Sequence, residues 1–499
     1  MRGTVGDDRR EVRGGIAHDP EVAVAEGRVL AIDLGTSSVR ALVFDQDGQA
    51  VPDVLARRPS GLRVEDDGTA ELDPDGVVAA VGACLDELAE RGELDGVETV
   101  ALSCAWHTVL AVDAAGRPLS AALTWADTRA AAVGDELAGR TDRRRLHAET
   151  GAPLHVTFWT VKLPWLARQL GGAPAAYLGL AEYLAASLLG DAGASLSMAS
   201  GTGLLDLATA DWNQRALELA GVAPAALPAL HEPGWTGCLT QPGARRWPAL
   251  ATARWHPAWG DGAASNVGAG CVSPAFANVN IGTSAAVRAV HDAPGAPLPP
   301  TLWRYRVDER RVVTGAAYSG GGNLWGWARE VLALPDGEAT EAALASVPPG
   351  SNGVSVLPYH AGARAPLQLP SGSGAVLGLS LATTAVEVVA ASLEAVCFGL
   401  ADGLDDLEPT LPGTPAVVAS GGGVTASRWW QQTLANVLGR PVQVSDEPEA
   451  SARGAALLAL GATTDPATTH VVQPDPEAVE AERTARAIQH DLADRLGYR

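Results

Sequence analysis

No two cysteines in this sequence form a C-x-x-C pair: Cys84, Cys104, Cys238, Cys271 and Cys397 are scattered singly. That spacing indicates neither a zinc site nor a disulfide framework, and a reducing cytoplasm is the expected compartment. Apolar runs of the ~20 residues that a membrane span needs are also missing. The mixed-charge opening, Met1 to Gly27, lacks the apolar core of a signal peptide and reads as a frayed, flexible extension. Basic residues are in deficit, 36 Lys+Arg against 58 Asp+Glu for a formal net charge of -22, which repels nucleic-acid backbones and anionic membranes. Helix-turn-helix signals, basic patches, solenoid-period repeats and low-complexity linkers are absent as well.

What is present is an alternation of strand and helix signals. At 499 residues the chain exceeds what one hydrophobic core usually organises, so two large lobes are expected. Arg28 to Asp45 holds two β-rich runs around a small-residue turn, Gly35 to Ser38, and reads as a hairpin. Asp45 to Gly48 is a second turn, Val77 to Ala89 has helical spacing, and Thr99 to Cys104 is strand-like, as in an α/β domain. The same grammar restarts with a strand at Phe276 to Ile281, a turn at Gly282 to Ser284 and a strand at Ala285 to Val290. Between the halves, Gly260 to Pro274 is small and reads as flexible, with a hinge near Cys271 to Pro274 and a ligand cleft between the lobes. Thr384 to Leu400 is expected as a buried-face helix, Val417 to Gly423 as a strand running into three glycines, and Pro476 to Leu496 as a charged helix stopped by Gly497. The expected organisation is an extension over 1–27, lobes over 28–272 and 273–465, and a helical tail over 466–499.

Three turns have the parts that grip a nucleotide. Phosphates held without a Walker lysine need backbone N–H groups and hydroxyls in a tight turn, and Gly35, Thr36, Ser37 and Ser38 supply them directly after a strand. Asp33, just before, would hold Mg²⁺ through water, since that ion keeps several waters and takes few carboxylates. The plain alternative is a hairpin turn rich in Gly and Ser. Gly282, Thr283 and Ser284 repeat the pattern, and two such turns facing across a cleft could grip a triphosphate from both sides. In the third, Gly421, Gly422, Gly423 and Ser427 leave a strand with no side chains in the way of a flat adenine or ribose, or form an ordinary strand–helix connection.

These motifs, with Trp125-Ala-Asp-Thr-Arg129, Lys162-Leu-Pro-Trp165, Gly260-Asp-Gly262 and the helix Gly374 to Glu394, occur in the order seen in FGGY carbohydrate kinases. The chain resembles that family, which includes gluconate, xylulose, ribulose and glycerol kinases, from Arg28 to Leu460. The resemblance implies a two-lobed actin-like, ribonuclease H-like ATPase fold with its active site in the interlobe cleft, and ATP with Mg²⁺ as cofactors. It makes Asp261 the general base that takes the acceptor's hydroxyl proton, a role that a carboxylate on a glycine-flanked turn near the hinge could perform. A solvent-facing turn aspartate is the plain alternative. Two positions depart from the family pattern: Trp159 stands where a small or hydroxyl residue is usual, and Gly362-Ala-Arg364 replaces Gly-Glu-Arg.

The resemblance also places Trp106, His107, Trp125, Asp127, Arg129 and Lys162 at the acceptor, with Asp261. Core aromatics, a satisfied histidine and a structural Asp127–Arg129 ion pair are the plain alternatives. The segments Ser103 to Thr108, Thr124 to Arg129 and Thr150 to His155 look most like gluconokinases. A carboxylate acceptor asks for a cation, which Lys162 or Arg129 could supply, or for neutral His107 and His155 as donors. D-gluconate is therefore the expected acceptor, a sugar acid or polyol the expected class, and a homodimer is compatible with the reading. A pentulose kinase of the same family and a catalytically silent, sugar-responsive ATP-binding regulator are the rivals.

Overall fold

The computed structural model describes residues 27–498, apart from 333, 335–336, 351–352, 365–366, 368 and 370–371. All but the last residue of the expected opening extension lies outside the described residues.

The hairpin at the start is Arg28–Leu34 paired antiparallel with Ser38–Phe44, and Ala50–Pro59 adds a third strand. Arg28–Leu34 is almost continuously apolar and buried from Val29 onward, the pattern of a strand covered on both faces. On its other side it pairs in parallel with Val97–Cys104, which in turn takes Arg254–Trp255 and Trp259–Gly260, also parallel. The second half repeats this strand for strand. Phe276–Ile281 pairs antiparallel with Ala285–Asp292, and Arg311–Tyr318 follows as the third strand. Ala416–Ser420 and Val442–Ser445 extend the other side in parallel. Two edge strands, Trp303–Arg306 and Thr468–Val472, complete the larger sheet. This duplicated topology is the two-lobed actin-like ATPase fold. The expected helical tail begins with that last edge strand, and the helix Pro476–Arg495 follows it.

The long helix of the second lobe is Ala385–Leu407, started by a capping box in which Thr384 and Glu387 satisfy each other's backbone N–H. The segment Gly374 to Glu394, expected as one helix, is therefore divided. Ala375–Leu377 is a strand paired with Ser355–Leu357, and helix begins only after the cap.

The expected flexible segment Gly260 to Pro274 also differs: Asp261–Gly268 is a helix with most of its residues buried. Its glycines serve close contact rather than mobility. A Cβ on Gly268 would lie 1.9 Å from the Ala450 carbonyl oxygen, and one on Gly454 1.7 Å from that of Ala264, so the backbones of this helix and Ala450–Leu460 touch. Arg453, 4% exposed, binds across the crossing by donating to the carbonyls of Gly48 (3.0 Å) and Gly268 (2.9 Å). Although Ala450–Leu460 follows a second-lobe strand, it packs through Ala452, Ala456 and Leu460 on Val29, Phe44 and Ala101 of the first sheet. The two halves are thus joined by crossed helices beside the expected hinge.

Candidate active site

Asp261 opens its helix where the short strand Trp259–Gly260 ends beside Ser103 and Cys104. A Cβ on Gly260 would lie 1.8 Å from Trp106 Cε2, so only glycine lets the indole lie against the backbone next to the carboxylate. That indole is fixed in turn: Nε1 donates to the Ser197 carbonyl at 3.0 Å, and the ring meets Tyr305 edge-on at 4.9 Å between centroids. Asp261 Oδ1 accepts the Gly262 N–H at 2.8 Å and the Trp106 N–H at 3.4 Å, while Oδ2 accepts nothing from the described residues. Burial pushes the Asp261 carboxyl above the usual carboxylate range, and the charge of Arg288 opposes that push.

A pocket of about 110 Å³ opens in front of this carboxylate. The first lobe contributes two histidines of opposite character. His107 sits at φ 70°, in the left-handed region that side chains rarely occupy, and its Nδ1 lies 2.5 Å from the Gly201 carbonyl. Nδ1 must donate there. Burial pulls the imidazole down to about 3, which leaves Nε2 an unprotonated acceptor. His155 Nδ1 instead accepts the Thr157 N–H at 3.2 Å, and burial brings this ring down to about 4, so its Nε2–H is a donor.

From the second lobe come Arg288, Tyr305 and Arg364. The Arg364 guanidinium lies 3.8 Å from the centre of the Trp125 ring, a cation–π contact across the cleft. Burial pulls Arg364 down to about 10 and also lowers Arg288. The Nε atoms of both are buried without a partner.

The first two glycine turns are each closed by their own backbone. Gly35 N–H closes the first turn on the Ser38 carbonyl at 3.1 Å, and Gly282 N–H closes the second on Ser284 at 3.0 Å. Ser284 lines the pocket in front of Asp261. Gly322 and Asn323 donate to the carbonyls of Gly282 and Thr283, seating the start of the helix Gly322–Val331 on the second turn. Because Ala416–Ser420 runs parallel to Phe276–Ile281, their ends bring Gly421 next to the Gly282 turn. Gly422 and Gly423 line a groove of about 920 Å³. Asp33, 3% exposed, takes Arg40 on Oδ2 at 2.8 Å, and Arg40 also pairs with Glu449 at 2.7 Å. Burial pushes Asp33 up to about 6 against the pull of Arg40, and the charge of Asp261 adds to the push.

Residues 28–268 match the N-terminal domain of the FGGY family of carbohydrate kinases, and residues 277–463 match its C-terminal domain. The chain belongs to this family. The kinase is 28% identical over 456 residues to the gluconokinase of Bacillus subtilis (strain 168), covering 87% of both chains. It is equally 28% identical, over 444 residues, to the xylulose kinase of Escherichia coli (strain K12), covering 86% of this chain and 89% of that one. A gluconate kinase from Lactobacillus acidophilus has the same fold, with a TM-score of 0.85 at 24% identity over 94% of this chain and 98% of that one. These likenesses establish a carbohydrate kinase and leave its acceptor to the chemistry of the pocket.

Of the residues expected at the kinase's acceptor, Trp106, His107, Trp125 and Asp261 line the pocket, while Asp127, Arg129 and Lys162 do not. Asp127 accepts the Ala70 N–H at 3.0 Å and pairs with Arg129, whose guanidinium also pairs with Glu71. Lys162, fully buried, donates to the Thr124 carbonyl, and burial pulls it down to about 7. The three hold up the Thr124–Trp125 segment from behind; their charges are occupied by partners of the fold. Trp159 is likewise behind the wall, donating from Nε1 to the Thr108 carbonyl at 3.1 Å. Ser427 lines the groove, but its hydroxyl caps the helix Arg428–Leu438 through the Trp430 N–H and donates to Glu341 at 2.9 Å, so it is a cap rather than an open nucleotide contact. Sequence reasoning missed Arg288 and Tyr305 and did not place Arg364 at the pocket. For Arg364 a signal existed, since it stands next to the departure at Ala363.

Proposed function

We infer that this kinase transfers the γ-phosphoryl group of ATP to a hydroxyl of a sugar acid, converting D-gluconate to 6-phosphogluconate, with Asp261 as general base. The observation that carries this reading is the asymmetry of Asp261: Oδ1 is anchored by two backbone N–H groups and Oδ2 is left for the acceptor. As the acceptor oxygen attacks the phosphorus, its proton passes to Oδ2. His107 Nε2 and the His155 Nε2–H offer one acceptor and one donor to the other hydroxyls. A pocket with two guanidiniums against one carboxylate carries an excess positive charge, which supports an anionic acceptor over a neutral one.

The reading places the phosphates against Gly35–Ser38 and Gly282–Ser284, and adenosine in the groove at Gly422 and Gly423. Asp33 fits a hard divalent ion held through water: it is a carboxylate that burial destabilises as an anion, and Mg²⁺ takes few carboxylates beside water and phosphate oxygens. Bound there with ATP, the ion would offset the charge of the phosphates. No helix among the described residues is long and apolar enough to cross a membrane.

The test is ADP release from MgATP with gluconate, xylulose, ribulose or glycerol against a blank without acceptor. Gluconate is expected to give the highest kcat/KM. Equal or better turnover of a neutral pentulose would replace the acceptor, and ADP release independent of any acceptor would remove the sugar-kinase reading.

A further inference from the structure

Arg364 is the one cation of the pocket that reaches it from the second lobe and lies on a first-lobe aromatic, the ring of Trp125 at 3.8 Å. It has no ion pair among the described residues, and its Nε is buried and unpartnered. A guanidinium in that state is costly: its Nε has lost water, and it has gained the face of an indole, worth on the order of 1–2 kcal/mol, and the through-space attraction of Asp261, where a carboxylate in contact would give a two-pronged charged bond. The other charged or polar groups of the pocket leave that bond unfilled. Arg288 repels it, His107 and His155 are neutral rings, and Asp261 has its anchored oxygen turned to Gly262 and Trp106. Arg288 is placed differently. Its Nη1 lies 3.5 Å from Ser265 Oγ, and a Cβ on Gly262 would lie 3.2 Å from its Nε, so it flanks the first turn of the helix that Asp261 opens.

The residue before Arg364 adds a second observation. Ala363 exchanges two backbone hydrogen bonds with Leu369, at 3.0 and 3.1 Å, and lines a cavity of about 450 Å³ that shares Thr301, Ala317 and Arg364 with the acceptor pocket. That neighbour brings no negative charge to Arg364, and there is open space beside it where an acidic side chain would fit.

We propose that Arg364 is the residue that reads the acceptor's carboxylate, binding it across the cleft beside Trp125 and the His155 Nε2–H, and that the small, uncharged Ala363 leaves it free to do so. This rests on the sugar-acid reading above and deepens it: the carboxylate end of the acceptor joins the two lobes, while the hydroxyl end meets Asp261. Because Arg364 comes from one lobe and Trp125 from the other, an acceptor without the charge binds with less gain on closing the cleft.

Two variants test this. In Arg364→Gln, the ratio of kcat/KM for gluconate to that for the uncharged polyol xylitol falls on the order of a hundredfold, with the loss in KM for gluconate, and the Kd for MgATP moves by less than about threefold. In Ala363→Glu, which keeps Arg364 but gives it an internal partner, the same ratio falls by about tenfold or more. Both are read beside calorimetric binding of gluconate and xylitol to the wild-type protein without nucleotide. Gluconate binding that Arg364→Gln abolishes supports the proposal even if gluconate is never phosphorylated, an outcome that would overturn only the assigned reaction. A wild-type protein that binds gluconate no better than xylitol overturns the proposal. So does an Arg364→Gln protein whose kcat collapses while its KM for gluconate stays, since Arg364 would then serve the transferring phosphoryl group.

Discussion

Asp261→Asn isolates the proton-accepting oxygen from everything else the side chain does. Oδ1 can remain a carbonyl oxygen and keep the N–H groups of Gly262 at 2.8 Å and Trp106 at 3.4 Å, so the helix start and the Trp106 wall should survive. Oδ2 becomes an amide that donates where the base must accept. General bases contribute about 10²–10⁴-fold, so kcat should fall by that factor, about 3–5 kcal/mol of transition-state stabilisation. The same change removes the negative charge that faces Arg288 and Arg364. KM for an anionic acceptor should therefore drop while kcat collapses, a pairing that simple misfolding does not produce. Wild-type kcat/KM should decline toward acid, because the base must be ionised, and burial sets that limb above the ordinary carboxylate value of 3.8. Asp33, pushed up to about 6, can add an acid limb of its own. The residual activity of Asp261→Asn separates the two: the limb vanishes if Asp261 sets it and persists if Asp33 does. Steady-state kinetics with coupled ADP detection over pH 4.5–8 measures all of this. Turnover within tenfold of the wild type would refute the assignment of Asp261.

Gly454→Ala puts a Cβ 1.7 Å from the Ala264 carbonyl, forcing apart the helix pair that carries Asp261; a loss of about 3 kcal/mol in urea unfolding and a fall in kcat are expected, and an unchanged midpoint would count against the touching-backbone account. Glu482 in the tail helix is 1% exposed, with both carboxylate oxygens unpartnered, and faces Glu394 of the long second-lobe helix. Burial and the Glu394 charge push it up, so the stability it lends is full below the ordinary glutamate range and is lost as pH climbs toward its raised folded value. Glu482→Gln should thus flatten the decline of thermal stability between pH 5 and 8 and stabilise the protein at pH 8 by about 1–3 kcal/mol; parallel curves for the two proteins would contradict this.

The backbone plan was legible because it is written in local chemistry. The run Val29 to Leu34, the turn Gly35 to Ser38 and the echo at Phe276 to Ala285 each announce a strand or a turn within a few residues, and both hairpins form as read. The site was legible only where a motif residue faces the cleft. Asp127 and Arg129 are next to Trp125 in sequence and Lys162 lies on a later helix, but their charges are met by Glu71, by each other and by the Thr124 carbonyl. Which side of a wall a charged residue occupies depends on partners from distant segments, and a linear motif does not state them. The same gap hid Arg288, which stands between core residues of its strand, and Tyr305, which reads as an ordinary core aromatic. Gly260 to Pro274 was misread for a related reason: small residues mark both mobile chain and touching helices, and only the partner helix at Gly454 tells them apart.

That helix crossing bears on how the site can work at all. A general base at Asp261, as proposed, would have to hold its position against the first-lobe wall to within a fraction of an ångström, with Arg364 and Ser284 lining the same pocket from the second lobe. A loop at the hinge would transmit the second lobe's motion to Asp261. A helix tied to Trp106 at its start, to Arg453 at its end and to a neighbouring backbone at Gly268 cannot follow such motion independently. The partner helix, though later in sequence than the second-lobe sheet, rests on the first-lobe strands, so both members of the crossing belong mechanically to the acceptor side. The glycines that looked like flexibility in the sequence are therefore what lets the Asp261 helix pack backbone to backbone on its neighbour.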